Sequence, residues 1–216
     1  MSLTKDATGD SAAGTSWSHG RAAPIWPGTA RYKLPPAPGG LALVQDFLNT
    51  RSDEEHEADL LGDAASAEDW AAHAVNAWSA QRMIECQWPT LNEHGAAKLR
   101  DLRSALEKAL TEVTAWQLDS FFGVVQLGYA GATEISWIPK GNGWQWLCAA
   151  VLGEVMSSQI VGTWRRMKLC RNAMCRAAYY DRSWDASGVW HSPGLCGKRI
   201  ENAQSGERRD SLDRCC

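Results

Sequence analysis

Four residues near the C-terminus have the types and the spacing of a metal site. Cys170 and Cys175 are separated by four residues, fifteen residues follow, and His191 and Cys196 are again separated by four. Two short-spaced pairs joined by a longer loop can clamp one ion from opposite sides, and thiolate with imidazole is a donor set that tetrahedral zinc prefers. Three sulfurs and one nitrogen complete the tetrahedron without a carboxylate and leave no position for water. The site is therefore expected to be structural rather than catalytic, with Zn2+ as the cofactor. The surrounding LCRNAMCRAAYYDRSWDASGVWHSPGLCGKR offers little core of its own, so the ion is expected to supply much of the folding free energy of this module. Tyr179, Tyr180, Trp184 and Trp190 are expected to pack around it. Of the remaining cysteines, Cys86 and Cys148 read as small core residues on helices, and Cys215 and Cys216 as an incidental tail.

Other residues could bind a partner. Residues 161–216 carry 11 Lys and Arg against 6 Asp and Glu, a balance of +5, while residues 1–160 carry 11 against 19, a balance of −8. A basic end on an acidic body suits a module that faces phosphate, or simply a solvated basic surface. The candidates for DNA contact are Arg171, Arg176, Arg182, Lys198, Arg199, Arg208 and Arg209. A second reading, a small-molecule sensor or a biosynthetic pathway enzyme in which the zinc is purely structural, uses the tryptophans, which number 12 against 3 Phe and 4 Tyr. Trp70, Trp78, Trp137 and Trp146, with Asp46 and Asn49, could line a small-molecule pocket between helices; as ordinary core they need no ligand. A protein-interaction module, including a homodimer, is the third reading. Catalysis finds no residues: His56, His73 and His94 stand outside any nucleophile motif, and no G-x-S-x-G, H-E-x-x-H or phosphate-binding glycine loop is present.

The elements that must position these residues read as mostly helical. LALVQDFLNT, residues 41–50, opens the folded body as a helix or a strand, and DEEHEADLL is expected to be a solvated acidic loop. Ser66 with Asp69 resembles a capping box ahead of a helix marked by Trp70, Ala74, Ala77, Trp78, Gln81 and Ile84, which Pro89 stops. Asn92 can cap the next helix, where Leu99, Leu102, Leu106, Leu110 and Val113 form a stripe, with Arg103–Glu107 and Lys108–Glu112 on the wet side. Residues 119–130 are read as a further short helix, EISWIP followed by KGNG as a strand and turn, and residues 144–166 as the last helix.

The expected fold class is thus a mainly α body with a small strand or hairpin element, plus a C-terminal zinc-ribbon-like α+β module. Residues 1–39 are rich in Gly, Ser, Ala and Pro and form an arm, disordered or docked through Trp17, Trp26 and Tyr32. The body spans 40–166, the metal module 167–205, and a flexible tail 206–216. With 44% apolar and 22% charged residues the chain is of globular type. It shows no basic-then-apolar leader and no apolar run long enough to span a bilayer, and its odd number of cysteines argues against a disulfide framework. A cytoplasmic protein with no membrane partner is expected.

The run from Lys168 to Arg199 resembles the CGNR-type zinc finger. Its elements are Cys170–Cys175, Tyr179-Tyr180-Asp181-Arg182-Ser183, Trp190-His191-Ser192 and Cys196-Gly197-Lys198-Arg199. The upstream LALVQDFLNT with its acidic loop and helices is similar to the ABATE domain that usually precedes this finger, so the likeness covers roughly residues 40–200. That family is described as bacterial stress-induced transcription regulators. The resemblance implies DNA binding through the finger, with the larger domain as sensor or oligomerisation unit. His191 stands where many members have Cys, Lys198 where the motif has Asn, and the tail IENAQSGERRDSLDRCC interleaves acids with its arginines where members often continue as a basic helix.

Overall fold

The computed structural model describes residues 25–53, 56, 58–85, 88–111, 121–130 and 134–197. Five helices, two hairpins and two short turns follow in order among them. They are α1 (Pro27–Arg31), α2 (Leu41–Leu48), α3 (Ala64–Arg82), α4 (Glu93–Thr111), β1 (Val124–Ala130), β2 (Glu134–Lys140), α5 (Trp144–Ile160), a 3-10 turn Trp164–Arg166, β3 (Met167–Leu169), β4 (Ala178–Tyr180) and a π turn Pro193–Gly197. β1 pairs antiparallel with β2, and β3 with β4, as two separate ribbons. This is the mainly α body with a hairpin, followed by a small zinc-ribbon-like module, that the sequence implies. No helix among the described residues is long and apolar enough to cross a membrane.

α2 is the axis of the molecule. All eight of its residues are buried, because α1, α3, α4, α5 and β4 all pack on it. α3 contributes Trp70, Ala71, Ala74, Val75 and Trp78 to the core, α4 contributes Leu99, Leu102 and Leu106, and α5 contributes Leu147, Cys148, Val151 and Val155. Met167 and Ala178 of the second ribbon belong to the same apolar cluster, so the C-terminal module shares the body's core. Residues 25–39 also pack onto the body: Trp26 is buried, and α1 lies so close to α2 that a Cβ on Gly28 would sit 2.3 Å from the Asp46 carbonyl oxygen.

Several local expectations are corrected. Val124–Ala130 is a strand rather than the end of a helix. β2 offers it a full antiparallel register, and Gly123 passes so close to α5 that a Cβ there would lie 2.7 Å from the Ala149 Cα. Pairing and close approach outweigh local helix propensity. Residues 119 and 120, the start of that predicted helix, lie outside the described residues, as do Glu112 and Val113. α3 begins three residues earlier than the predicted box, with Asp63 as N-cap accepting from the Ser66 N–H at 2.8 Å. The last helix stops at Ile160, and Gly162 follows with a φ of +73°.

The acidic segment does not simply face water. Leu61 is fully buried, and Asp59 takes a two-pronged ion pair from Arg103, at 2.8 and 2.6 Å. Arg103 also donates to the Thr50 hydroxyl at 2.8 Å. It therefore points into the protein instead of pairing with Glu107 along α4, since a buried guanidinium needs fixed acceptors in several directions. Asn92 does cap α4, through the Gly95 N–H at 2.8 Å.

Candidate metal centre

β3 delivers Cys170 at its end, and a tight turn brings Cys175 back beside it. The turn is fixed by backbone bonds from Cys175 and Arg176 to the Asn172 carbonyl, at 3.0 and 2.9 Å, and from Cys170 to the Ala177 carbonyl at 2.9 Å. Arg176 takes a φ of +50° to close it. The Ala177 N–H points at the Cys175 sulfur, 3.5 Å away. Across the site the π turn presents Cys196, whose N–H bonds the Ser192 carbonyl at 2.8 Å, and His191 enters just before that turn.

The loop that carries His191 into place is folded around Asp181. This carboxylate is buried and accepts from the Ser183 N–H and hydroxyl, the Gly188 N–H and the Lys168 ammonium, at 2.7–2.9 Å. Burial works against its charge, but Lys168 and Ser183 hold its carboxyl well below the usual carboxylate range. Lys168 also donates to the Ala186 and Gly188 carbonyls. The aromatic-x-Asp-x-Ser motif is thus a loop-folding device: one ion pair and its satellite bonds fix the fifteen-residue stretch that must return His191 to the cysteines.

The ligand atoms of Cys170, Cys175, His191 and Cys196 all lie within 4.8 Å of one another. His191 Nδ1 is 3.4 Å from the Cys175 sulfur and 3.6 Å from the Cys196 sulfur. Zn–S of about 2.3 Å and Zn–N of about 2.05 Å in a tetrahedron put sulfur and nitrogen about 3.6 Å apart, so the four residues fit a zinc ion bound through Nδ1. The bare thiols share protons. The Cys170 thiol is pushed down, first by its bond from Cys175 and then, against the opposing effect of burial, by hydrogen bonds from His191 and Asn172. Cys175 is driven up, because it holds its proton toward Cys170. A thiolate poised among N–H donors is the state a divalent cation needs, and the ion would replace the shared protons. When bound, zinc supplies a cross-link here rather than a reaction.

Cys170 and Cys196 are buried with Ala177, and Tyr32, Leu34, Cys175 and Trp190 pack against them. The module's own apolar cluster is that small. Of the aromatics expected around the site, Trp190 is there and Tyr179 is buried nearby, whereas Trp184 is 95% exposed.

The module is tied to the body by the side-chain amides of Gln45 on α2 and of Asn49 at its C-cap; the sequence pointed to Asn49 only as a pocket-lining candidate and did not single out Gln45. The Asn49 carboxamide accepts from the Ala178 N–H at 2.7 Å and donates to the Ala178 carbonyl at 2.9 Å. It takes the place of a third strand beside β4. Gln45 donates to the same carbonyl at 3.3 Å and accepts from the Ala37 N–H at 2.6 Å. Asp46 accepts from the Thr29 N–H at 2.7 Å and from the Trp70 indole at 2.8 Å; burial pushes its carboxyl up to about 6. Asp46 and Asn49 thus face protein partners. Side-chain amides inside an apolar stretch are the one sequence signal for this role, since buried polar groups must find partners.

The four candidate pocket tryptophans lie in the core. Trp78 packs against Trp137 and Trp146 with ring centroids 6.1 and 5.6 Å apart, and Phe47 packs on Trp70. The Trp78 indole donates to Glu154 at 2.7 Å and the Trp137 indole to Ser157 at 3.1 Å. Trp146 also borders a shallow cleft with Trp88 and Gly143. Among the candidate cations, Arg171 is exposed. Arg176 lies 3.5 Å from Glu107, and Arg182 donates to the Pro36 carbonyl at 2.9 Å while lying over Tyr180. Lys198, Arg199, Arg208 and Arg209 lie outside the described residues. An open cleft of about 640 Å³ between the end of α4 and the module is lined by Trp164, Arg165, Arg171 and Tyr179, residues dispersed along the chain.

No curated protein matches the chain. Residues 166–209 match the family model of the CGNR zinc finger. The matched span contains all four clustered donors, and with them this chain carries a zinc finger with a Cys3His metal-binding cluster.

Proposed function

We propose that the protein is a DNA-binding transcription regulator of the ABATE/CGNR type, in which the zinc ion braces the reading module and the helical body senses a signal or pairs with a second copy. The observation that carries this reading is the fusion of the finger to the body through one core and the Asn49–Ala178 bonds. Any ordering or displacement of α2 is felt at β4. Exposed Arg165 and Arg171 supply phosphate contacts, and Lys198, Arg199, Arg208 and Arg209 extend the cationic run along the chain. Arg176 and Arg182, each engaged with the body, hold the module in place.

The acids in the tail and the engaged arginines predict modest affinity with a shallow salt dependence. Log K is expected to fall with log salt at a slope near −3, as for about three neutralised phosphates. A mobility-shift titration on the DNA upstream of its own coding sequence, repeated across salt, tests the proposal. A complex weakened by Arg171→Ala supports it, and no complex at low salt with zinc-loaded protein overturns it.

A further inference from the structure

A small pocket of about 120 Å³ opens onto one side of the metal cluster, bounded by Arg31, Tyr32, Asp53, Cys175, His191 and Cys196. Its outer wall is built by the arm. The Tyr32 hydroxyl donates to Asp53 at 2.5 Å, and His56 Nδ1 lies 2.8 Å from the other Asp53 oxygen. The Tyr32 ring rests 4.5 Å from that of His56 and 6.4 Å from that of His191. The pocket has room for molecules the size of water or a peroxide, water occupying about 30 Å³. The three sulfurs are not equivalent toward it. Cys175 and Cys196 line the opening, whereas Cys170 does not; Cys175 is half-buried, and Cys196 and Cys170 are both buried.

We infer that Cys175 and Cys196 are a peroxide-reactive pair, and that their oxidation through this pocket ejects the metal. The inference rests on the zinc-finger reading but not on DNA binding. The Cys175 thiolate attacks one oxygen of a hydroperoxide and the O–O bond breaks. This gives a sulfenic acid at Cys175, and the departing oxygen leaves as water, or as alcohol, after taking a proton. The Cys196 thiolate then attacks that sulfur, the S–O bond breaks, and hydroxide leaves as water with a second proton. Two thiolates supply two electrons, the peroxide accepts two, and a disulfide forms. Zinc, left with Cys170 and His191 alone, is released. The sulfur atoms already lie within 4.8 Å, so the turns that carry them need only close up.

The test uses the full-length, zinc-loaded chain. Hydrogen peroxide is added in steps, zinc release is read with a colorimetric chelator, and the product is digested with trypsin under non-reducing conditions. Cleavage after Lys168, Arg171, Arg176, Arg182 and Lys198 puts Cys170, Cys175 and Cys196 on separate peptides. The expected result is one zinc released per disulfide, with Cys175 joined to Cys196. Tyr32→Ala, checked first for native circular dichroism and zinc content, should release zinc several-fold faster, and Tyr32→Phe by less. A disulfide made mainly through Cys170, or zinc retained while other thiols oxidise, overturns the inference. Protein that is folded but zinc-free before peroxide is added defeats the zinc reading itself.

Discussion

The helical body and the C-terminal module are held by different forces. The body closes α2, α3, α4 and α5 around leucine, alanine and tryptophan, with two ion pairs set into it: Arg103 with Asp59, and Arg82 with Glu154. The module has three buried residues in its own cluster, two of them metal ligands. Burial at about 25 cal/mol per Å² can stabilise the first and cannot stabilise the second. The contrast shows that the finger is neither an independent bead nor an extension of the body. Its loops depend on the ion, while its ribbon depends on α2.

Chelation should separate the two most strongly. Structural zinc contributes about 10–16 kcal/mol of apparent binding free energy in finger peptides, far beyond any one side chain here. Stripping the metal is expected to abolish amide protection at residues 170–177 and 181–197 while β4, α3, α4 and α5 remain protected in hydrogen-exchange mass spectrometry. Equal loss in both regions would merge them into a single cooperative unit. Leu102→Ala is the reverse experiment. It should lower stability by about 2–5 kcal/mol in denaturant titration and leave one zinc per chain by elemental analysis.

Asn49→Ala addresses the join. It leaves both the N–H and the carbonyl of Ala178 without Asn49 in a buried place, an expected cost of about 1–3 kcal/mol, and should hasten zinc loss to a chelator. Unchanged zinc retention would mean that the ribbon does not need α2.

Acid should act with opposite sign on two buried carboxylates, Asp46 in the body and Asp181 in the module. Asp46, raised to about 6 in the fold from about 3.9 in the unfolded chain, binds its proton more tightly when native. Its contribution is fully present below about pH 4 and is lost as pH rises to about 6. Asp181, lowered in the fold, contributes above about pH 4, and that contribution is lost as pH falls further. Denaturant titrations from about pH 4 to 7 should show the Asp46 slope in the wild type and not in Asp46→Asn. Persistence of the slope in that variant would assign it elsewhere.

The four ligands were legible because zinc demands particular donors at particular spacings, and that demand is local in sequence. The stripes of α3 and α4 were legible for the same reason, at helical period. What escaped was set by distant partners. β1 is a strand because β2 lies beside it, and Arg103 turns inward because Asp59 and Thr50 wait there. Gln45 and Asn49 bond residue 178, more than a hundred positions away. The tryptophans announced their bulk but not their neighbours, and rings that could have lined a pocket turned out to fill one another's space. Nothing in the Asp181 motif, read alone, said that its acid folds a loop.

The central claim is a closed Cys3His zinc site, and zinc-edge X-ray absorption on the purified full-length chain tests it most directly. One zinc per chain is expected, with about three sulfurs at about 2.3 Å and one nitrogen at about 2.0 Å. An oxygen donor in place of a sulfur, or a folded module with no stoichiometric metal, would contradict it.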